Sequence, residues 1–344
     1  MPRELPIPPH FDAQKVGHVW RVPYQQRATD AQNWATQHHI ASAASDSTRV
    51  GLLLIDIQNT FCMPDFELFV AGKSGNGAVE DNGRLCEFIY RNLGSITEIM
   101  ATMDTHTAMQ IFHPVFWIND SGEHPQPMAQ ISADEVEQGV WKVNPAIAPR
   151  IAGKDAQWLQ QYALHYAQSL NFDSKYPLII WPYHAIEGGI GHALVSAIEE
   201  ACYFHNFARE RQTHFEMKGD NPLTENYSAL RPEVQKDQEG NAIADPNQAL
   251  LDKLLSFDAL VVAGQAKSHC VAWTLNDLLS EIQARDPQLA QKVYLLEDCT
   301  SAVVTPGGPD FTDQANAAFE RFANAGMHRV TSQDLIDDWM AVTA

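Results

Sequence analysis

The sequence predicts an α/β fold: a doubly wound, Rossmann-like, mostly parallel sheet with helices on both faces, plus an N-terminal extension and an inserted subdomain. Three observations predict it. Short apolar runs recur along the chain, each ends in a polar or small-residue turn, and a helix-length segment follows. The clearest run is Val50-Gly51-Leu52-Leu53-Leu54-Ile55, closed by Asp56. Its unbroken apolar character is that of a strand buried on both faces. Further runs lie at 96–103, 178–181, 214–217, 260–264 and 293–296, with a last one at 329–331. Helices are expected at 79–93, 189–206, 247–256, 269–284, 311–325 and 333–342. Residues 49–344 make up the main domain. Residues 1–48, polar and rich in Gln and Ala, read as an extension that wraps it or joins a subunit interface. Residues 121–176 read as an inserted subdomain or lid, and 229–246 as a surface excursion.

Composition narrows the function. The chain has 344 residues, and a hydrophobic share of 45% supports an ordinary folded core. Against 43 acidic residues stand 23 basic ones, and the net charge of −20 disfavours nucleic acid and anionic membranes as partners. A small-molecule partner is expected. No stretch reaches the roughly 20 apolar residues of a membrane span, and the first residues lack a signal-peptide core, so a cytoplasmic location is expected. Five cysteines, Cys62, Cys86, Cys202, Cys270 and Cys299, form no CxxC pair, which fits a set of free thiols rather than a disulfide framework.

Doubly wound sheets bind ligands at the carboxyl ends of their strands, so the residues just past each run carry the functional reading. Asp56 closes the first run, where burial raises a carboxyl pKa and suits it to take a proton; capping of the following turn is the alternative. Cys270 opens a helix after the run Val261-Val262-Ala263-Gly264, and a helix N-terminus lowers a thiol pKa and offers free N–H groups to an oxyanion. An inert buried thiol is the alternative. Lys218 ends the run at 214–217; its ammonium would stabilise developing negative charge, whereas a lysine at such a place is otherwise simply solvated. Three residues of complementary type thus occupy three strand ends, and such ends converge in a parallel sheet.

These residues sit in motifs that resemble a known family. Asp56-Ile57-Gln58-Asn59-Thr60-Phe61-Cys62 resembles the DxQNxFC opening of nicotinamidases. The segment from Gly264 through Ala266 and Cys270 to Thr274 resembles the GxAxxxCVxxT motif of isochorismatase-like hydrolases. Lys218-Gly219 with Tyr227-Ser228-Ala229 resembles the family's lysine motif. The matches run from about residue 49 to about residue 305 in the family's order. The resemblance implies Cys270 as nucleophile, Asp56 as general base and Lys218 as the cation between them. It also implies a cis peptide between Gln265 and Ala266, with the N–H groups of Ala266 and Cys270 as an oxyanion hole.

A second constellation bears on metal. Asp104-Thr105-His106 and Trp181-Pro182-Tyr183-His184 each follow a predicted strand, and one carboxylate with two imidazoles suits zinc, manganese or iron as a divalent Lewis acid. The pair resembles the DWH and WPxHC motifs of nicotinamidases, which assigns metal ligation to Asp104, His106 and His184. There are departures. Gln110 stands where many relatives have a further histidine, with His113 three residues on as a core histidine or a ligand; Ala185 replaces the motif cysteine; Gly188-Gly189-Ile190-Gly191 replaces GTxG. Phe61 and Trp181 are candidate walls for an aromatic substrate, with core packing as the alternative. His269, beside the cysteine, is either a pocket residue or an exposed helix start.

The expected function is a cysteine hydrolase that cleaves a small carboxamide through a thioester, with nicotinamide giving nicotinate and ammonia. A related amidase or N-carbamoyl amide hydrolase is the alternative on the same scaffold, since hydrolysis of a vinyl ether needs no thiol. A catalytically silent binding module is the alternative of another class. The resemblance also implies a homo-oligomer.

Overall fold

The computed structural model describes residues 4–172, 175–305 and 307–343. Its strands are β1 Val50–Ile55, β2 Glu98–Asp104, β3 Trp117–Ile118, β4 Gln130–Ile131, β5 Lys142–Val143, β6 Leu178–Ile179, β7 His214–Lys218, β8 Ala259–Gly264, β9 Val293–Leu296 and β10 His328–Val330. Its helices are α1 Tyr24–His38, α2 Asn59–Cys62, α3 Gly77–Arg91, α4 Ala133–Glu137, α5 Ala156–Phe172, α6 Ser196–Ala208, α7 Gln248–Leu255, α8 Cys270–Arg285, α9 Thr312–Asn324 and α10 Ile336–Thr343. The chain divides into two units, one of residues 1–103, 193–216 and 248–344, the other of 104–192 and 217–247.

The first unit is built on a sheet of order β10-β9-β8-β1-β2-β7, whose last strand runs on into the second unit. The registered pairs β1·β2, β1·β8, β8·β9 and β9·β10 are all parallel. Strand order reverses between β1 and β8: the chain builds outward from β1 through β2 to β7, then returns to build outward from β8 to β10. Every residue of β1, β8 and β9 is buried, as their unbroken apolar sequences require. Val50, Leu52 and Leu54 share one core cluster with residues of α3 and α6, including Leu85, Phe88, Ile198 and Phe204. Helix α1 packs on α6 through the buried ion pair of Arg27 with Glu200 at 2.9 Å, and Trp20 N–H donates to Ser196 Oγ at 2.9 Å. The N-terminal residues therefore cover the outer face of α6.

Gly264 is required by the sheet itself. Its φ is +126°, and a Cβ there would lie 2.2 Å from the carbonyl oxygen of Ile55, so only glycine lets β8 leave the sheet this close to β1.

The second unit carries two small antiparallel pairs, β3·β5 and β4·β6, with α4 and α5. Three expectations are corrected. The run 178–181 is not a strand of the main sheet; only Leu178–Ile179 is extended, paired with Gln130–Ile131, and Pro182 offers no N–H to continue a ladder. The helix expected from 189 begins at Ser196, because Gly188, Gly189 and Gly191 favour the turns that occupy 186–192. The segment 229–246 is more than a surface excursion, since Leu230, Glu233, Val234 and Asp237 are buried. Among the described residues no helix is long and apolar enough to cross a membrane.

Candidate active site and metal centre

The strand reversal in the first unit brings Asp56 and the cysteine loop to neighbouring strand ends. Ile55 and Gly264 are register partners, and Gln265 N–H donates to the Ile55 carbonyl at 2.8 Å. Asp56 follows immediately on one strand and the loop 265–269 on the other. This is the crevice in which doubly wound sheets place their ligands. Asp56 is completely buried and left-handed, with φ +48°. Thr102 on β2 holds it from both sides: its Oγ1 accepts the Asp56 N–H at 3.1 Å and donates to Asp56 Oδ1 at 2.6 Å.

Cys270 is the first residue of the sixteen-residue helix α8, so its thiol lies in the positive field of the helix N-terminus. The preceding peptide Gln265–Ala266 is cis. The remaining thiols have a different environment: burial pushes Cys202 up to about 12 and Cys62, Cys86 and Cys299 higher still, so none is a nucleophile near neutrality. His269 is buried rather than exposed. Its ring lies edge-on to Phe311, its Nδ1 is 2.8 Å from Ser268 Oγ, and burial lowers its pKa to about 4, which leaves a neutral imidazole beside the cysteine.

In the second unit Asp104, His106 and His184 form one buried group whose ligand atoms all lie within 4.8 Å of one another. His106 Nε2 is 2.8 Å and His184 Nε2 is 3.5 Å from Asp104 Oδ2. The two histidines are brought together by backbone pairing: His106 N–H donates to the Ala185 carbonyl at 3.0 Å, and Glu187 N–H donates to that of His106 at 3.0 Å. The other ring nitrogens face carbonyls, His106 Nδ1 that of Gly219 at 2.9 Å and His184 Nδ1 that of Pro182 at 2.8 Å. A carbonyl can only accept, so each Nδ1 carries hydrogen and each Nε2 is left to face the carboxylate. That is the second-shell arrangement of metal-binding histidines. The donor set and its tautomers therefore fit a divalent cation, and the group can coordinate one.

Lys218 is buried at the end of β7. Its ammonium donates to Asp104 Oδ1 at 3.0 Å and to the Asn226 carbonyl at 2.7 Å. Burial works to raise the Asp104 carboxyl, but the charges of His106 and Lys218 and the Nε2–H groups of both histidines hold it well below the usual range, and Asp104 in turn raises His106; a bound cation would take the place of the Nε2 protons. Glu225 is a further buried carboxyl in this field, and for it burial prevails and raises the pKa. Gly219 is where the fold leaves no room. At φ +87° a Cβ would lie 2.8 Å from His106 Cε1 and 2.9 Å from Asp104 Oδ1.

The departures from the family motifs have structural consequences. Gln110 is a tether, its Oε1 accepting the Thr107 N–H at 2.9 Å and its Nε2 donating to the carbonyls of Gly219 and Asn221 at 2.7 and 3.1 Å. His113 is fully buried between Phe112 and Tyr183, outside the ligand group, and burial lowers its pKa to about 3. Trp181 donates its indole N–H to Tyr227 Oη at 3.1 Å and, with Phe112, Tyr166 and Glu225, lines a small cavity of about 10 Å³, about the space of one water. Phe61 is partly buried against the core of the first unit. Thr102 and Glu225 are not singled out by the sequence, and Gly219 only as a member of the lysine motif. Thr102 precedes Asp104 by two residues on a strand and Gly219 follows Lys218, so proximity to the motifs was the available signal.

No protein-family model matches the chain, and no curated protein matches it. Solved structures do. A nicotinamidase/pyrazinamidase from Acinetobacter baumanii superposes with a TM-score of 0.50 at 18% identity, over 84% of this chain and 99% of its own. The yeast nicotinamidase bound to the inhibitor nicotinaldehyde superposes with a TM-score of 0.50 at 17% identity, over 82% of this chain and 99% of its own. At this identity the likeness establishes a shared fold.

Proposed function

We propose that this chain, which shares the fold of the nicotinamidases, is a cysteine hydrolase of small carboxamides, with nicotinamide as substrate and nicotinate and ammonia as products. One observation carries the reading: Asp56 and the loop ending in Cys270 occupy adjoining strand ends at the strand reversal, the acid held by Thr102 and the thiol at a helix start.

Asp56 takes the proton of Cys270, and the thiolate attacks the amide carbonyl. The oxyanion is received by the N–H groups of Ala266 and Cys270. Protonated Asp56 returns its proton to the departing ammonia, leaving a thioester. Asp56 then takes a proton from water, which attacks the thioester, and the acid product leaves as the thiol is restored. Lys218 supplies positive charge that favours the ionised forms of the acid and the thiol. Asp104, His106 and His184 would hold the metal, zinc with manganese or iron as alternatives; when bound it supplies a Lewis acid suited to an aromatic nitrogen or a water. Phe61 and Trp181 are assigned as aromatic walls for the substrate ring.

The test is ammonia release from nicotinamide, pyrazinamide, carbamoyl compounds and aliphatic amides, each with and without a chelator. Chelator-sensitive hydrolysis led by the pyridine and pyrazine carboxamides supports the proposal. A chelator-insensitive preference for aliphatic amides would overturn the substrate assignment while keeping the cysteine hydrolase, and silence toward every amide would overturn both.

A further inference from the structure

The loop that presents Cys270 has an unusual interior. Gln265, Lys267 and Ser268 are all buried, although polar side chains on a surface loop ordinarily reach water. Each is bonded to a different part of the first unit. Gln265 Nε2 donates to Asp81 Oδ2 on α3 at 2.8 Å, and its Oε1 accepts the Ser301 N–H at 3.2 Å. Asp81 is held in turn by Arg84, whose Nη2 donates to Oδ1 at 2.7 Å while its Nε donates to the Asp298 carbonyl at 2.6 Å. Lys267 donates to Glu297 Oε1 at 2.9 Å and to Asn316 Oδ1 on α9 at 3.0 Å, and its ammonium lies 4.4 Å from the centre of the Phe319 ring. Glu297 is gripped from its other side by Arg329 on β10, at 2.6 and 2.8 Å. Ser268 Oγ accepts the Val303 N–H at 3.1 Å.

Closing a loop does not require this. The Lys267 ammonium is buried and the Glu297 carboxylate partly so; such a pair gives little net stability, because desolvation offsets much of the Coulomb gain, but it does give a defined position, since the buried ammonium loses its countercharge if it moves. The two tethers attach three and five residues before the thiol, and they come from α3 on one side and from Glu297, in the turn after β9, with α9 on the other. We propose that Asp81 and Glu297, acting through Gln265 and Lys267, are positioning residues that fix the start of α8 and thereby the reactivity of Cys270. This rests on the reading of Cys270 as nucleophile but not on the identity of its substrate.

The experiment follows Cys270 alkylation by iodoacetamide across pH 5 to 9 (about the span of thiol titration), resolved by peptide mass spectrometry, beside kcat and KM for nicotinamide. The variants are Lys267→Met, Glu297→Gln, their combination, and Lys267→Arg. Lys267→Met is expected to slow Cys270 alkylation and to lower kcat by about tenfold or more, with KM within about twofold, since misplacement of a reacting group by a fraction of an ångström has effects of this size. Lys267→Arg restores most of the loss, and the double variant is no worse than the worse single one, because the pair acts as a unit. If Lys267→Met does not fold, Glu297→Gln, which keeps a hydrogen-bond acceptor for the ammonium, carries the same expectation. Unchanged alkylation and kcat in folded variants, or losses that add, would overturn the proposal. Altered alkylation in a chain that hydrolyses no amide would instead overturn the amidase reading and leave the tethers standing.

Discussion

Substituting Gly219 by alanine isolates what the metal centre demands of the backbone. Two costs are separable. The residue has φ +87°, a conformation that costs a residue with a Cβ about 1–2 kcal/mol. The new Cβ would also lie 2.8 Å from His106 Cε1, 2.9 Å from Asp104 Oδ1 and 3.2 Å from His106 Nδ1, so the ring and the carboxylate must part. That displacement breaks the bond from His106 Nδ1 to the Gly219 carbonyl, the contact that fixes the ring's tautomer. Loss of such an outer partner lowers metal affinity by about 10- to 100-fold, or about 1.4 to 2.7 kcal/mol. Gly240 is the matched control, because it has the same φ of +87° and a Cβ there meets nothing within 4 Å. The assay is calorimetric titration of chelator-stripped protein with zinc, alongside urea unfolding. Both variants are expected to lose stability by the backbone cost, and only Gly219→Ala to lose zinc affinity. Equal zinc affinities in the two variants would refute the steric argument.

Two further predictions concern the first unit. Thr102→Val keeps the shape of the side chain but removes both hydrogen bonds to Asp56; a bond to a carboxylate is worth about 1.5–3 kcal/mol, so kcat for amide hydrolysis should fall by tenfold or more by that arithmetic, and a variant with wild-type kcat would show that Asp56 is held by other means. His205 is fully buried with Nε2 donating to the Ile96 carbonyl at 3.0 Å, and burial lowers its pKa from 6.5 to about 4. Above pH 6.5 the imidazole is neutral folded or unfolded; between 6.5 and about 4 only the unfolded chain takes the proton, so stability is lost as pH falls through this window. The loss is about 1.4 kcal/mol per pH unit, and chemical unfolding at several pH values should show His205→Gln with a slope shallower by that amount; identical slopes would contradict the assignment.

Much of this was legible in the sequence for a physical reason. Residues 50–55 and 259–264 are buried on both faces, so they read as unbroken apolar runs, and the chemistry at the end of such a strand stands out against them. Asp56, Asp104 and the turn before Cys270 are read in that way, whereas Lys218 ends β7, whose other residues are partly or fully exposed. The run 178–181 misled because a short apolar segment says nothing of its partner, and here the partner is the two-residue strand at Gln130. The tethers were illegible for a related reason. Asp81 lies 184 residues from Gln265, and Glu297 lies 30 residues from Lys267; such pairings arise from the order of strands and helices and leave no periodicity behind. The place of Trp181 in a motif is what marks it as a substrate wall, while its bond to Tyr227 in the second unit left no trace in the sequence.

The central claim is that Cys270 forms a covalent intermediate with the substrate carbonyl. The most direct measurement is ammonia release from nicotinamide by the wild type and by Cys270→Ala, with mass spectrometry of the Cys270 peptide after rapid acid quench. The account predicts an acyl adduct on Cys270 in the wild type and a rate lower by at least about a thousandfold in the variant, the scale on which nucleophile removal acts. Substantial ammonia release by Cys270→Ala would contradict it.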